Sequence, residues 1–336
     1  MASIMTNSSA LTALQSLNAT NKALETTQSR ISTGYRVATA SDNAAYWSIA
    51  TTMRSDNKAN SVVQDSLGLG AGKIDTAYTA MNKAIEVVDK IKEKVLLAKT
   101  AGTEDRAKIQ AEIATYQAQL KDNIGGANYA GSNLLKTDST STGSTKLSVI
   151  TSYNRDDSGN VSTGTIDVNF GKTRLIDSSA TEGTPAVIDN TDPLNPVVVT
   201  PAVPGTPGNG ILDKVGGASG ASILNIDVSD VTGVTGYSAA DEGAAFDKLL
   251  TDIESALSSM STGAAELGAA KARIDLQSSF VSSLSDSIDK GVGQLVDADM
   301  NKESTRLQAL QVQQQLGIQA LSIANGNSQQ ILSLFR

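Results

Sequence analysis

Near the start of the chain, apolar or small residues recur at alternating steps of four and three: Ala10, Leu14, Leu17, Asn21, Leu24, Gln28 and Ile31. The same rhythm returns at the other end, in Leu307, Leu310, Gln314, Gly317, Leu321, Ala324, Ser328, Ile331 and Phe335. This is the seam spacing of supercoiled helices, and it predicts a helical arm at each terminus. Further helices with the same spacing lie inside the arms. One runs through Ile74, Tyr78, Met81, Ile85, Val88 and Val95. The next runs through Ile109, Ile113, Tyr116 and Leu120, with Thr103 as its expected N-cap and Gly125-Gly126 as its stop, and a third follows Phe246, Leu250, Ile253, Leu257, Met260, Ala264, Leu267, Ile274, Val281 and Ile288.

The stretch between them changes period. Ile166, Val168 and Phe170, then Leu224, Ile226 and Val228, alternate with polar residues and predict half-buried strands. Asp156-Asp157-Ser158-Gly159-Asn160 reads as a hairpin turn between Leu147–Tyr153 and Thr165–Phe170. All six prolines (185, 193, 196, 201, 204 and 207) fall in this middle stretch, which leaves the flanks free of that helix breaker. The fold class read from this order is mainly α with a β-rich insert. Seams at opposite ends of the sequence are most simply satisfied by pairing with each other, which makes an elongated, hairpin-like helical bundle; the plainer reading is an isolated bundle with a β insertion.

Composition sharpens the picture. Of the 336 residues, 40% are hydrophobic but only 4% aromatic, which suits long helices filled by Ala, Leu, Ile and Val better than a round core. The seams hold polar or small residues at Asn21, Gln28, Gln314, Gly317 and Ser328. Such residues weaken a lone helix pair, and residues 1 to about 43 and about 297 to 336 are expected to be largely disordered in the free monomer and to fold on assembly.

With no His and no Cys, the chain lacks the usual nitrogen and sulfur metal ligands, the neutral-pH general base and the thiol nucleophile. No catalytic residue and no cofactor is expected. The net charge of −8 disfavours nucleic acid and anionic membrane as partners, and the 5 Lys+Arg against 11 Asp+Glu in residues 137–240 concentrate most of it in the middle segment. No stretch is long and apolar enough for membrane insertion, and no basic region precedes the first apolar positions, so no cleavable signal peptide is visible; the first Lys is Lys22. Gly68-Leu69-Gly70-Ala71-Gly72 lacks the strand and the Gly-Lys-Ser/Thr of a phosphate loop and reads as small residues permitting close helix contact. Asp297, Asp299 and Glu303 lack calcium-loop spacing and mark a helix start or joint. The Ser and Thr cluster at 137–145 reads as a solvated loop, with surface O-glycosylation as the lesser alternative.

Residues 30–50, RISTGYRVATASDNAAYWSIA, resemble the turn between the first two helices of bacterial flagellins, with Ser32, Gly34, Arg36, Asp42, Ala44, Ala45 and Ile49 matching. Gly34 can supply a positive φ there, and Ser41 or Asp42 can cap the following helix. VDADMNKES (residues 296–304) looks like that family's acidic joint, and ANGNSQQILSLFR closes the chain as flagellins close, with Leu332, Leu334 and Arg336 fitting. Ala38 and Asn43 depart from the usual Asn and Asp, Tyr46-Trp47 from Gly-Leu, and Ser328 from a frequent Pro.

The resemblance implies a non-enzymatic subunit that self-polymerises into the extracellular flagellar filament, a passive propeller for swimming. It implies three layers. Residues 1–43 with 297–336 form the inner arms, with Leu14, Leu17, Leu24, Ile31, Leu307, Leu310, Leu321, Ile331 and Leu334 at assembly positions. Residues 44–136 with 241–296 form a second helical shell, and residues 137–240 an outward variable segment. Implied partners are further copies, possible co-assembling flagellins, the flagellar export apparatus with its chaperone, and the filament cap and hook-associated proteins; export would proceed without a cleaved signal peptide. The family also presents a surface to an innate immune Toll-like receptor, falling here on Lys92, Leu96 and Glu112. Lys in place of the family's Arg cannot make a bidentate fork, so weak recognition is expected. Two rivals remain: a hook–filament junction protein, and an enzyme hosted in the outer segment. The segment has no His for an HExxH metal site.

Overall fold

A computed structural model describes residues 7–140, 145–156, 158–179, 187–189, 197–200, 208–238 and 241–334, with side chains omitted at 187–189, 197–200 and from 327 onward. The element order is α1 (Ser8–Thr33), α2 (Ala44–Thr100), α3 (Thr103–Gly126), β1 (Lys136–Thr137), β2 (Lys146–Arg155), β3 (Val161–Asn169), α4 (Phe170–Thr173), β4 (Ile176–Asp177), β5 (Val187–Asp189), β6 (Val197–Thr200), α5 (Glu242–Val296) and α6 (Met300–Leu334). The helical flanks and strand-containing middle follow the sequence reading. The prolines and the Ser/Thr run at 141–144 lie outside the described residues. By contacts the chain divides into two units: residues up to Ala59 with those from Ser283 onward, and Asn60–Ser282.

The second unit is built on α2, α3 and α5. On α2 Val63, Leu67, Gly70, Ile74, Ala77, Met81, Ala84, Val88, Ile91, Val95 and Ala98 are buried in a four-three alternation, with Asn60 and Val87 buried beside it. On α5 they run Phe246, Leu249, Ile253, Ala256, Met260, Gly263, Leu267, Ala270 and Ile274 with the same steps. Two stripes of that period lie along each other when the helices supercoil gently. Three cross-helix ion pairs mark their antiparallel register: Asp75 with Lys271, Lys92 with Glu254 at 2.5 Å, and Lys99 with Asp247 at 2.5 Å. These pairs are largely solvated and contribute little beyond register. From α3, Ile109, Ile113, Leu120 and Ile124 complete the core. That helix starts from Gly102, which makes no side-chain cap, so the expected Thr103 cap is not formed; Thr103 is the first helical residue.

Strands β2 and β3 form the expected hairpin, closed by Asp156, whose carboxylate accepts the Ser158 and Asn160 N–H groups. The register shifts between Ile150 and Ser152, and the Thr151 carbonyl accepts instead from Gln277 Nε2 of α5. Ile166, Val168 and Phe170 are buried as their alternation predicts. In the glycine cluster the close approach is real but its partner is not a helix. A Cβ on Gly70 would lie 2.6 Å from the Val149 side chain of β2, and one on Gly72 2.6 Å from the Tyr129 ring.

The segment Leu224–Val228 corrects its reading as a strand. Residues 223–225 form a 3₁₀ turn, and Leu224, Ile226 and Val228 are buried without a strand partner. Two side chains of α3 serve this unladdered backbone instead: Gln110 accepts from the Val228 N–H, and Gln110 and Gln117 both donate to the Ile226 carbonyl. Period-two burial was thus correctly legible, while the backbone partners were supplied by glutamines rather than a ladder.

Candidate functional site

With no clusters of His, Cys, Asp or Glu suited to a metal among the described residues, the feature the sequence points to is the pair of terminal helices. Helix α1 is opened by Asn7, whose side chain accepts the Ala10 N–H, and closed by Gly34 at φ +75°, a left-handed cap that Gly adopts without a Cβ penalty. Helix α6 is opened by Asp299, whose Oδ1 accepts the N–H groups of Asn301 and Lys302.

The two helices pair antiparallel. From one end to the other, Asn7 Nδ2 donates to the Ala324 carbonyl (2.9 Å), Leu17 packs on Gly317, Gln314 Nε2 donates to Asn21 Oδ1 (2.8 Å), and Arg30 meets Glu303 at 3.4 Å. On α6 the covered positions are Glu303 and then Leu307, Leu310, Gln314, Gly317, Leu321 and Ala324, the last six being seam positions read from the sequence; Ser328, Ile331 and Phe335 of that seam have side chains outside the described residues. The Leu334 side chain lies outside them too. On α1 the covered seam runs Ala10, Ala13, Leu17, Thr20, Leu24, Thr27 and Ile31, with Ala23 and Arg30 half-covered beside it, so three of the seven expected positions are displaced by one residue. Leu14 is 48% exposed, and Asn21 and Gln28 are exposed too. Thr20 and Thr27 take the seam places instead; Thr20 turns its hydroxyl onto the Ser16 carbonyl of its own helix, which frees its methyl for the interface.

Residues 34–43 are tied to the end of α5 by backbone. Arg36 and Val37 donate their N–H groups to the Val296 carbonyl, Ala298 donates to Gly34, and the Arg36 guanidinium donates to the Leu295 carbonyl at 2.9 Å. Arg36 therefore closes the C-terminus of α5, where helix carbonyls lack internal donors and a cation is favoured. The cap of α2 is Asn43, whose Oδ1 accepts the Tyr46 N–H, and not Ser41 or Asp42. Asp42 closes its own turn by accepting from the N–H groups of Ala38 and Thr39 and from the Thr39 hydroxyl; those bonds, led by Thr39, hold its carboxyl below the ordinary range. Asp297 bridges to Tyr35 and Asp299 caps α6, so the acidic stretch is both a joint and a helix start, as read.

Outward from the seam, Leu11 and Leu14 of α1 and Val312, Leu316, Ile318 and Ile323 of α6 are exposed. Helix α6 has no charged residue after Arg306, and α1 has only Lys22, Glu25 and Arg30. Exposed aliphatic side chains on helices nearly free of charge form a surface suited to contact with further protein.

Lys92 and Leu96 on α2 and Glu112 on α3 all sit in the second unit. Leu96 is exposed, Lys92 is engaged by Glu254, and Glu112 by Lys94. Hydrogen bonding to Glu254 raises the Lys92 ammonium's affinity for its proton. In the middle segment Asp177 is buried. Burial alone would raise its carboxyl, but donors from Ser139, Asn209 and Ser179 outweigh it and hold it far below the usual range. Asp213 lacks that balance: burial raises its carboxyl, one of its oxygens accepts the Asp177 N–H at 2.6 Å, and the other is buried without a partner.

Two family models match the chain: the bacterial flagellin N-terminal helical region over residues 4–140 and the bacterial flagellin C-terminal helical region over residues 250–335. A flagellin of Brucella melitensis is 50% identical over 336 residues, and flagellin C of Rhizobium meliloti is 47% identical over 337, each covering both chains in full. A solved structure of a putative flagellar hook-associated protein from Vibrio parahaemolyticus covers 76% of this chain and all of its own at 15% identity and a TM-score of 0.48, a likeness too slight to weigh on function.

Proposed function

Since the chain belongs to the bacterial flagellin family, we propose that α1 paired with α6 is the inner surface through which its copies stack. The chain is a structural subunit of the extracellular flagellar filament, and its relatives' names over their full length favour that role over a hook–filament junction. The observation that carries the α1–α6 assignment is the one-sided burial of this pair. Its seam is half covered and built from Ala, Thr, Gln and Gly beside a few Leu and Ile, while Leu11, Leu14, Val312, Leu316 and Ile323 stand outside it on faces nearly free of charge. Backbone ordering costs about 1–2 kcal/mol per residue, and each fully buried Leu or Ile returns about 1.5–3 kcal/mol, so a pair so thinly filled depends on neighbours. The layered reading follows: residues 1–43 with 297–336 inside, 44–136 with 241–296 around them, and 137–240 outward. Electron microscopy of monomer repolymerised on seeds tests it. Deletion of residues 1–31 is expected to abolish long filaments; ordinary filaments from the deleted chain would refute the assignment.

The subunit works without catalysis, swimming thrust being a property of the polymer. Its absence of thiols suits export in unfolded form through the flagellar secretion apparatus with a chaperone, and filament cap and hook-associated proteins are its neighbours at the polymer ends. Lys92, Leu96 and Glu112 are the positions for innate-receptor contact, with Lys92 and Glu112 both occupied by ion pairs. A receptor reporter assay is expected to show weak signalling; full potency would remove this reading.

A further inference from the structure

Asparagine followed by glycine occurs twice in the chain, at Asn209-Gly210 and Asn325-Gly326. In such a pair the backbone nitrogen of the glycine reaches the asparagine side-chain carbon with little hindrance, because glycine carries no Cβ. Asn325 and Gly326 lie within α6, where a helical N–H points along the axis to an earlier carbonyl and away from its neighbour's side chain. Asn209 lies instead in a bend, exposed between two buried glycines. The fold fixes that arrangement. A Cβ on Gly208 or Gly210 would run into the Asp213 carboxylate, and one on Gly210 would also lie 2.5 Å from the Leu175 carbonyl oxygen. The Asn209 N–H is held by Asp177 at 3.0 Å, whereas its side-chain amide has a long contact to Ser139 Oγ, at 3.4 Å.

We propose that Asn209 is a site of self-modification, converted through a cyclic imide with Gly210 into aspartate or isoaspartate. The Gly210 nitrogen gives up its proton and bonds to Asn209 Cγ. The Cγ–Nδ2 bond then breaks, and the amide nitrogen takes up a proton and leaves as ammonia. Water opens the five-membered ring at either carbonyl, so the net change is hydrolysis of one amide without oxidation or reduction. Asp213 is placed to accept the first proton and return it to the leaving nitrogen, since its carboxylate lies against Gly210 and the Gly210 amide acts on it. Burial raises that carboxyl, which makes its ionised form the better base. The isoaspartate product adds a methylene to the backbone just before Ile211 and Leu212, whose N–H groups donate to the Arg174 and Leu175 carbonyls at 3.0 and 2.9 Å. It also sets a new carboxylate beside Asp177, so the modification loosens this part of the middle segment. The inference does not depend on the polymerising role.

Full-length protein is held for days at neutral pH, native and unfolded in guanidinium. Peptides carrying residue 209 are followed by the mass increment of amide-to-acid conversion and by isoaspartyl methyltransferase labelling. Conversion at Asn209 is expected to be at least as fast in the native protein as in the unfolded chain. Asp213→Asn should slow it several-fold in the native protein and leave the unfolded rate unchanged. Asn209→Gln should abolish the product, because the larger ring closes poorly, with the circular dichroism unchanged. In filaments Asn325 should remain an amide. Slower conversion of Asn209 in the native protein than in the unfolded chain, or a native rate that Asp213→Asn does not lower, would overturn the proposal. A chain that never polymerises would count against the polymerising role and leave the result at Asn209 standing.

Discussion

Two helix pairs in this protein follow the same four-three spacing and differ in what occupies it. Along α2 and α5 the seam holds Leu67, Ile74, Met81, Ile91, Phe246, Ile253 and Leu267, all essentially removed from water. Along α1 and α6 it holds Ala13, Thr20, Thr27, Gln314, Gly317 and Ala324 among a few large aliphatics, and of its described positions only Thr20, Thr27 and Glu303 are buried. Spacing therefore says that a helix has a partner, and filling says whether that partner suffices. The first pair can hold a monomer together; the second is, on the function proposed above, a surface for further copies.

The sharpest way to break this contrast is to delete equal bulk from both seams. Ile91→Ala is expected to cost the monomer about 3–4 kcal/mol, read as a lowered denaturation midpoint. Leu24→Ala on α1 should leave that midpoint nearly unchanged and weaken the filament, read as a lower depolymerisation temperature. Equal effects on the monomer would erase the distinction.

A smaller effect belongs to the middle segment. Asp177→Ala strands the N–H groups of Ser139 and Asn209 and is expected to cost about 1–3 kcal/mol in the monomer. Because the folded state lowers the Asp177 pKa, its contribution is present above the ordinary carboxylate range and is lost as pH falls through and below it. Asp213 has the opposite sign. Its raised pKa favours folding in acid, and that contribution is lost as pH rises through the raised value. Asp213→Asn should therefore raise the monomer's melting temperature modestly at neutral pH and leave it unchanged in acid; a neutral-pH loss would mean that the ionised form is the stabilising one.

The smallest effect is expected for Lys92→Ala, whose partner Glu254 is well solvated. Little or no change in monomer stability, by denaturant titration, is expected of an exposed pair. A larger loss would show that surface charge, and not the filled seam, holds α2 to α5.

Much of this architecture was legible in the residues because period and filling are local properties. From Leu307 to Ala324 the α6 seam was legible position by position, and the 156–160 turn announced its hairpin. On α1 the leucine at 14 drew the reading one place off, since a threonine that bonds its own helix can occupy a seam as well as a leucine can. At 224–228 alternation foretold burial but not the glutamines of α3 that replace a strand partner. The cap at Asn43 was hidden by adjacent Ser41 and Asp42, three residues of equal capping aptitude whose roles the chain's path decides. Arg36's closure of α5 joins positions 259 residues apart and leaves no local signal.

Amide hydrogen exchange, followed on dilute monomer and on filaments of the same protein, is the most direct test of the claim that α1 and α6 depend on neighbouring copies. Fast exchange across α1 and α6 in the monomer, slow exchange there in the filament, and slow exchange through the seam of α2 and α5 in both is the predicted result. Strong protection throughout α1 and α6 in the dilute monomer would contradict it.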